Sequence, residues 1–420
     1  LLIAYLALFP ALFTHLMVKA KSRHFNLLWL APVLWGLTEW LRSWFLTGFP
    51  WLALGYGQIE GPFAGLFPIV GEAGVSALLI MLAHVLATLW SGHGRKAHKL
   101  VTIAIIALLS STSFIQWASE NGVTKNIALV QGNIKQELRW VPEQDWPTME
   151  KYLNLTEKHW DSDLIVWPEA AIPKLELLSS EYIKHLDEKA HQAGNALITG
   201  IVDYNYETKE AFNNLIVLGK SQKGDSAGYH YRHNNRYSKY HLLPVGEFIP
   251  LEDFLRGLAP IFDLPMSSFT AGEYYQPNLD ANGMQLAAAI CFEIVFPQQI
   301  VDNINEETDA IITVSNDAWF GTSHGPHQHF EIARVRAREL GLPVIRATNN
   351  GVTGIIDHQG NILANLPQFE EGTMTVELPL VSGVTPFALT KGYSYWLLIV
   401  LFMLPLIRQT LVMQRQTLTS

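Results

Sequence analysis

Cysteine is almost missing: the 420 residues contain one, Cys291. A lone cysteine excludes an internal disulfide framework and leaves two readings, packed filler or a reactive thiol. Filler is the commoner outcome, because free cysteine is among the most buried residue types. Charge is scarce as well. Charged residues make up 16% of the chain, against roughly 25% in ordinary soluble domains. The formal net charge of -9 leaves no basic surplus for phosphate backbones, so nucleic acid is excluded as the main partner. The chain opens inside an apolar run with no basic leader, so that run is not read as a signal peptide. It is expected to be the later part of a longer membrane region.

What the chain has instead is long apolar runs, gathered at its two ends. Residues 1–18, 27–46, 73–90, 101–117 and 393–407 are dominated by apolar side chains, and the second run carries Glu39 and Arg42. A spanning helix needs about 20 mostly apolar residues. Five such runs argue for a multi-pass membrane protein rather than buried helices of a soluble one. Several of the 13 tryptophans lie near the run ends, as interface anchors do. Lys19, Lys21 and Arg23 follow the first run, Arg95, Lys96 and Lys99 precede the fourth, and Arg408 and Arg415 follow the last, whereas residues 47–65 hold no Lys or Arg. The positive-inside rule puts the basic loops and the C-terminus in the cytoplasm. The large segment between the fourth and fifth runs then lies on the opposite side. We therefore expect a transmembrane region over residues 1–120 with about four spans, a globular domain over 124–380, and a C-terminal transmembrane helix over 391–412.

The central domain alternates strand-like and helical stretches. Strand patterns cover 126–131, 164–167, 196–200, 214–218, 286–291, 310–314 and 344–347. Helical patterns cover 146–159, 180–193 and 327–340. Such alternation indicates a layered α/β domain. Residues 229–265, rich in aromatics, Pro and Gly, are expected to form long functional loops.

Three strand ends carry chemistry. Glu169 follows Ile165-Val166-Trp167-Pro168, Lys239 sits within Arg236-Tyr237-Ser238-Lys239-Tyr240-His241, and Cys291 ends Ala287-Ala288-Ala289-Ile290-Cys291. Sites in open α/β sheets form at the carboxyl ends of strands. A thiol needs deprotonation to attack, a carboxylate can take its proton, and an ammonium can stabilise an oxyanion. Each residue also has a plain reading: a helix cap for Glu169, a solvated loop lysine for Lys239, core packing for Cys291. Spacing alone does not bring the three together. His324, His327 and His329 resemble a metal cluster, but no carboxylate or thiol completes it, and no metal is expected.

Taken together, Trp167-Pro168-Glu169, Tyr237-Ser238-Lys239-Tyr240-His241-Leu242-Leu243-Pro244 and Ile290-Cys291-Phe292-Glu293 resemble the nitrilase superfamily, which implies a Glu-Lys-Cys triad on an αββα sandwich. A nitrilase-like domain between transmembrane helices is similar to the bacterial apolipoprotein N-acyltransferases. Gly48-Phe49-Pro50-Trp51-Leu52, Val130-Gln131-Gly132-Asn133-Ile134, Pro244-Val245-Gly246-Glu247-Phe248-Ile249-Pro250, Ser315-Asn316-Asp317-Ala318-Trp319-Phe320-Gly321 and Arg346-Ala347-Thr348-Asn349-Asn350-Gly351-Val352-Thr353-Gly354 agree with that family. The resemblance implies spans preceding residue 1 and a catalytic domain on the periplasmic side of a bacterial inner (cytoplasmic) membrane. It implies no cofactor, a phospholipid acyl donor, and a diacylglyceryl apolipoprotein as acceptor. Cys291 would be the nucleophile, Glu169 the base and Lys239 the oxyanion stabiliser. Trp140, Glu247 and Glu293 carry over as supporting residues, and Phe292 stands where the family has tyrosine. Glu247 is expected to position Lys239 or the incoming amine, and Glu293 to stiffen the turn beside Cys291. The aromatic loops around Tyr237 and Trp319 read as acyl-chain lids or as plain packing. Two rivals remain: a membrane-tethered amidase with water as acceptor, and a non-enzymatic membrane scaffold or transporter.

Overall fold

The computed structural model describes residues 2–91, 96–139, 141–220, 228–244, 246–248 and 269–419. Trp140, Arg95, Val245, Ile249 and Pro250 lie outside the described residues, as do residues 251–265 of the loop expected over 229–265. The chain divides into two compact units. One comprises Leu1–Trp117, Glu339–Gly341 and Val384–Ser420; the other comprises Ala118–Arg338 and Leu342–Gly383.

The first unit is helical, with α1 (Leu2–Ser22), α2 (Leu27–Trp44), α3 (Phe67–Trp90) and α4 (Lys96–Ser111). Three stretches, Leu2–Ser22, Ala64–Trp90 and Ser394–Gln416, are long and apolar enough to cross a membrane. The two other apolar runs fall short of that measure. In α2, Glu39 and Arg42 interrupt the apolar stretch and pair at 3.7 Å, both buried. In the fourth run the apolar helix covers only Lys99–Phe114. The unit's core joins Val33 of α2, Ala77 of α3, and Tyr395, Ile399, Phe402 and Leu406 of the C-terminal helix. At Gly36 a Cβ would run into the Tyr395 hydroxyl and stand 2.8 Å from Ile399 Cδ1. A small residue there lets the two helices approach.

The second unit contains two six-stranded sheets. In the first the order is β12-β1-β2-β3-β4-β5: β1 (Ala118–Gln131), β2 (Leu164–Val166), β3 (Ala196–Tyr204), β4 (Ala211–Gly219), β5 (Arg236–Ser238) and β12 (Gly372–Gly383). In the second it is β11-β10-β9-β8-β7-β6: β6 (Leu279–Ala281), β7 (Met284–Ile290), β8 (Ala310–Ser315), β9 (Val344–Thr348), β10 (Thr353–Ile356) and β11 (Ile362–Leu366). The strands β1, β2 and β3 run parallel, as do β7, β8 and β9. Period-two alternation sorts their side chains. Ile127, Leu129, Leu164, Val166 and Ile198 meet Leu286, Ile290, Ile312, Val314 and Ile345 between the sheets. The alternate set, Ala128, Val130, Ile165, Trp167 and Leu197, faces α5 (Pro142–Thr156) and α6 (Ser180–Ala193) through Met149, Tyr152, Ile183 and Leu186. On the second sheet α7 (Pro297–Asn303) follows β7, and α8 (Gly325–Leu340) lies over β9 and β10, where the Phe330 ring reaches Gly354. This is the expected αββα sandwich.

The seven expected strands are present. Of those not expected, β5 and β6 span three residues each and β10 four, β11 alternates only between exposed and half-buried positions, and the 12-residue β12 is buried only at Leu378, Leu380 and Val381. Periodicity needs a buried face and several residues to register.

Gly200 in β3 packs under the turn after β2. A Cβ there would collide with the Ala170 backbone nitrogen and stand 2.8 Å from Glu169 Cα. Gly200→Ala is therefore expected to destabilise the unit by about 1–3 kcal/mol, read as a lower thermal midpoint.

Candidate active site

Glu169, Lys239 and Cys291 each sit just past the carboxyl end of a strand. After β2, the Trp167 backbone N–H still donates to the Ile198 carbonyl at 2.8 Å. The chain then turns through Pro168 and Glu169 to Ala170, whose φ is +45°. The Glu169 Oε1 accepts from Asn213 Nδ2 at 2.8 Å, and its Oε2 accepts from the Asn316 backbone N–H at 2.9 Å. Glu169 is thus no helix cap. Lys239 follows β5. Its backbone N–H donates to the Asn213 carbonyl at 2.8 Å, which aims the side chain inward, and it is 1% exposed. Its Nζ lies 3.7 Å from Glu169 Oε1. Cys291 follows β7 with φ +55°, a left-handed conformation that few non-glycine residues adopt. The residue is partly exposed, and its thiol lies within electrostatic reach of both Glu169 and Lys239.

Two further carboxylates hold this arrangement. Glu247 receives Lys239 Nζ at 2.9 Å on Oε1 and 2.7 Å on Oε2, Asn213 Nδ2 at 3.1 Å, and the Leu243 N–H at 2.8 Å. Glu293 is fully buried. Its Oε1 accepts from Tyr237 Oη at 2.8 Å, Gln299 Nε2 at 2.7 Å, and the backbone N–H groups of Tyr240 at 2.9 Å and His241 at 3.0 Å. Its Oε2 accepts from the Ile290 N–H at 2.7 Å. One carboxylate therefore clamps the residue before the thiol to the residues after the lysine. Phe292 is buried and packs edge-on against Phe296, with ring centroids 5.1 Å apart.

Residues 126–384 match the carbon-nitrogen hydrolase family model, and residues 1–85 match the model of the apolipoprotein N-acyltransferase N-terminal domain. The chain is 46% identical to the apolipoprotein N-acyltransferase of Photobacterium profundum, over 94% of this chain and 77% of that protein. It is 45% identical to the apolipoprotein N-acyltransferase of Vibrio cholerae, over 94% of this chain and 80% of that protein. The chain belongs to the apolipoprotein N-acyltransferase family. Among solved structures, Saccharomyces cerevisiae Nit3 of the nitrilase superfamily matches at 16% identity and a TM-score of 0.43, covering 63% of this chain and 92% of that one. As an apolipoprotein N-acyltransferase family member, the chain is an acyltransferase and a membrane protein.

The electrostatics bear on how such an acyltransferase attacks. Burial pushes the Cys291 thiol up to about 12, the Glu169 carboxylate pushes it further in the same direction, and the Lys239 ammonium opposes both. At rest the thiol is neutral. Burial pushes Lys239 down, but the carboxylates of Glu247 and Glu169 outweigh it and hold the lysine above its ordinary value, so the ammonium is permanent. Burial also raises Glu293, against the pull of its hydrogen-bond donors.

Of the other expected residues, Trp140 lies outside the described residues. Tyr237 belongs to the core between the sheets, so its ring is packing and not a lid, whereas Trp319 is 69% exposed. The histidines separate: His324 and His327 are exposed and His329 is buried. Among the described residues no group of three or more His, Cys, Asp and Glu could hold a metal ion. Asn213, Asn316 and Gln299 were not singled out from the sequence, since an amide gives no chemical signal until its partner is known. A buried cluster also escaped notice: Asp317 Oδ1 accepts from Ser315 Oγ at 2.6 Å and lies 3.0 Å from His329 Nδ1, and Asp317 Oδ2 accepts from Arg346 Nη2 at 2.8 Å. Burial would raise the Asp317 carboxyl, but Arg346 and His329 hold it well below the usual carboxylate range. The signal for it was a charge within each of two apolar stretches, Asp317 after β8 and Arg346 in β9.

Three outcomes are expected at the thiol and its clamp. Alkylation of Cys291 should keep rising with pH beyond the ordinary cysteine range. Glu169→Gln removes a negative charge that opposes the thiolate, so alkylation at a given alkaline pH should quicken while acylation by lipid slows by about 100- to 10,000-fold. For the clamp, Glu293→Gln sets an amide N–H₂ against backbone N–H donors. It is expected to destabilise the unit by about 1–3 kcal/mol, measured by thermal unfolding.

Proposed function

We propose that the chain transfers the sn-1 acyl chain of a membrane phospholipid to the α-amine of the N-terminal S-diacylglyceryl cysteine of an apolipoprotein, in lipoprotein maturation, with Cys291, Glu169 and Lys239 as the catalytic triad. The observation that carries this is the convergence of three strand ends: a thiol on a left-handed turn, a hydrogen-bonded carboxylate, and a buried ammonium 3.7 Å from that carboxylate. Because the thiol is neutral at rest, Glu169 takes its proton as sulfur attacks the ester carbonyl. The tetrahedral oxyanion is stabilised by Lys239 Nζ. Collapse breaks the ester C–O bond, leaves the acyl group on sulfur, and returns the proton from Glu169 to the departing lysophospholipid oxygen. The amine then attacks the thioester carbonyl, Glu169 takes its proton, the C–S bond breaks, and the proton returns to sulfur. Such a relay has ping-pong kinetics. Protons and electrons balance within thiol, ester and amine.

Glu247 positions Lys239 by meeting its Nζ with both carboxylate oxygens. Phe292 and Glu293 support the turn that carries the thiol. The domains are read as a transmembrane region over 1–120, a catalytic domain over 124–380 and a C-terminal transmembrane helix over 391–412. The distribution of Lys19, Lys21, Arg23, Arg408 and Arg415 supports a cytoplasmic side for those loops. The catalytic domain is then periplasmic, on a bacterial inner membrane that holds both lipid-anchored substrates.

The test is intact-mass measurement of the purified protein in phospholipid nanodiscs, followed by addition of a diacylglyceryl-cysteine peptide with a free α-amine. One acyl adduct, absent in Cys291→Ala and transferred to the peptide, is the expected result. An adduct lost to water at the same rate without the peptide would make the chain a hydrolase. A folded protein that forms no adduct would overturn the triad.

A further inference from the structure

The nucleophile's turn is held from below by a buried charged cluster that the acyl-transfer steps do not use. The β7–β8 ladder ends at Ile290, paired with Val314, so the main chain of Cys291 lies past its last strand partner. Its carbonyl oxygen stands 3.0 Å from Nε2 of His329, a residue of α8. A carbonyl oxygen only accepts, so Nε2 carries the proton in this contact. The other face of the ring is set by Asp317 Oδ1, 3.0 Å from Nδ1, and by Arg346 Nη2, also 3.0 Å from Nδ1. Arg346 Nη2 also donates to Asp317 Oδ2 at 2.8 Å. The Ser315 hydroxyl donates to Asp317 Oδ1 at 2.6 Å. Asp317, His329 and Arg346 are each no more than 1% exposed. Burying such a set costs more desolvation than apolar packing of the same volume, and through His329 it reaches the Cys291 main chain.

We propose that His329 is a positioning residue for acyl transfer. Its Nε2–H grips the main-chain carbonyl of Cys291, Asp317 and Arg346 fix the ring, and the strained turn is thereby kept with the thiol aimed at Glu169 and Lys239. The proposal rests on Cys291 being the nucleophile. Loss of the grip lets the turn relax and moves the sulfur away from its line of attack. The lipid-binding surfaces are unaffected, so the acylation rate falls while the half-saturating lipid concentration holds.

The experiment compares wild type, His329→Leu, His329→Gln, Asp317→Asn and Cys291→Ala in nanodiscs of varied phospholipid content. It reads single-turnover acylation by intact mass and folding by thermal unfolding. His329→Leu is expected to lose about 100-fold in acylation rate at unchanged half-saturation. His329→Gln, whose side-chain amide can reach the same carbonyl, should recover most of the rate, and Asp317→Asn should fall between them. Should His329→Leu not fold, His329→Gln and Asp317→Asn decide. The proposal is overturned if folded His329→Leu acylates at the wild-type rate, if His329→Gln folds but is as slow as His329→Leu, or if the loss lies wholly in half-saturation. Full acylation in Cys291→Ala would instead overturn the triad itself and leave the His329 comparison without its premise.

Discussion

The candidate site depends on one buried carboxylate. Glu293 accepts hydrogen bonds from the Ile290 N–H on one oxygen and from Tyr237, Gln299, Tyr240 and His241 on the other. Ile290 belongs to the second sheet and Tyr237 to the first. The clamp therefore sets the thiol's strand end against the lysine's across the interior of the sandwich. Hydrogen bonds to an ionised acceptor are shorter and stronger than neutral ones. Several donors converging on one buried group leave little freedom at either strand end.

Charge around the reaction centre is arranged in layers. Lys239 lies between Glu247, which receives it in two short contacts, and Glu169, which stands farther off at 3.7 Å. The stronger partner fixes the ammonium in place; in the proposed reaction the weaker one handles the protons. Glu169 in turn is held by Asn213 and the Asn316 backbone, neutral donors that orient a base without neutralising it. With the thiol pushed up to about 12, the site stores no preformed thiolate. In the proposed transfer, proton removal therefore accompanies attack.

The helical unit, with three stretches long and apolar enough to cross a membrane, follows different physics. In lipid, backbone polar groups must be satisfied within the helix, and helix contact relies on close packing and small residues such as Gly36 rather than on apolar burial. Glu39 and Arg42 sit inside α2 as a buried pair. They weaken the apolar reading of that helix while each supplies the other's partner.

The sequence alone determined the class of the protein and its chemical parts. Apolar runs at both ends and strand–helix alternation between them are written in local periodicity, because burial selects side chains one element at a time. The three strand-end residues were legible because Glu169 and Lys239 interrupt strand and aromatic patterns and Cys291 is the sole cysteine. Only the tertiary structure decided which groups meet. Glu169 and Lys239 are 70 positions apart, and Lys239 and Cys291 a further 52. Nothing in local propensity brings them together; the pairing of strands β2, β5 and β7 in two packed sheets does. The same holds for Asn213, Gln299 and the Asp317–His329–Arg346 cluster. Their side chains have no distinctive periodicity, and their roles come from hydrogen-bond partners distant in sequence, which the closed sandwich alone supplies.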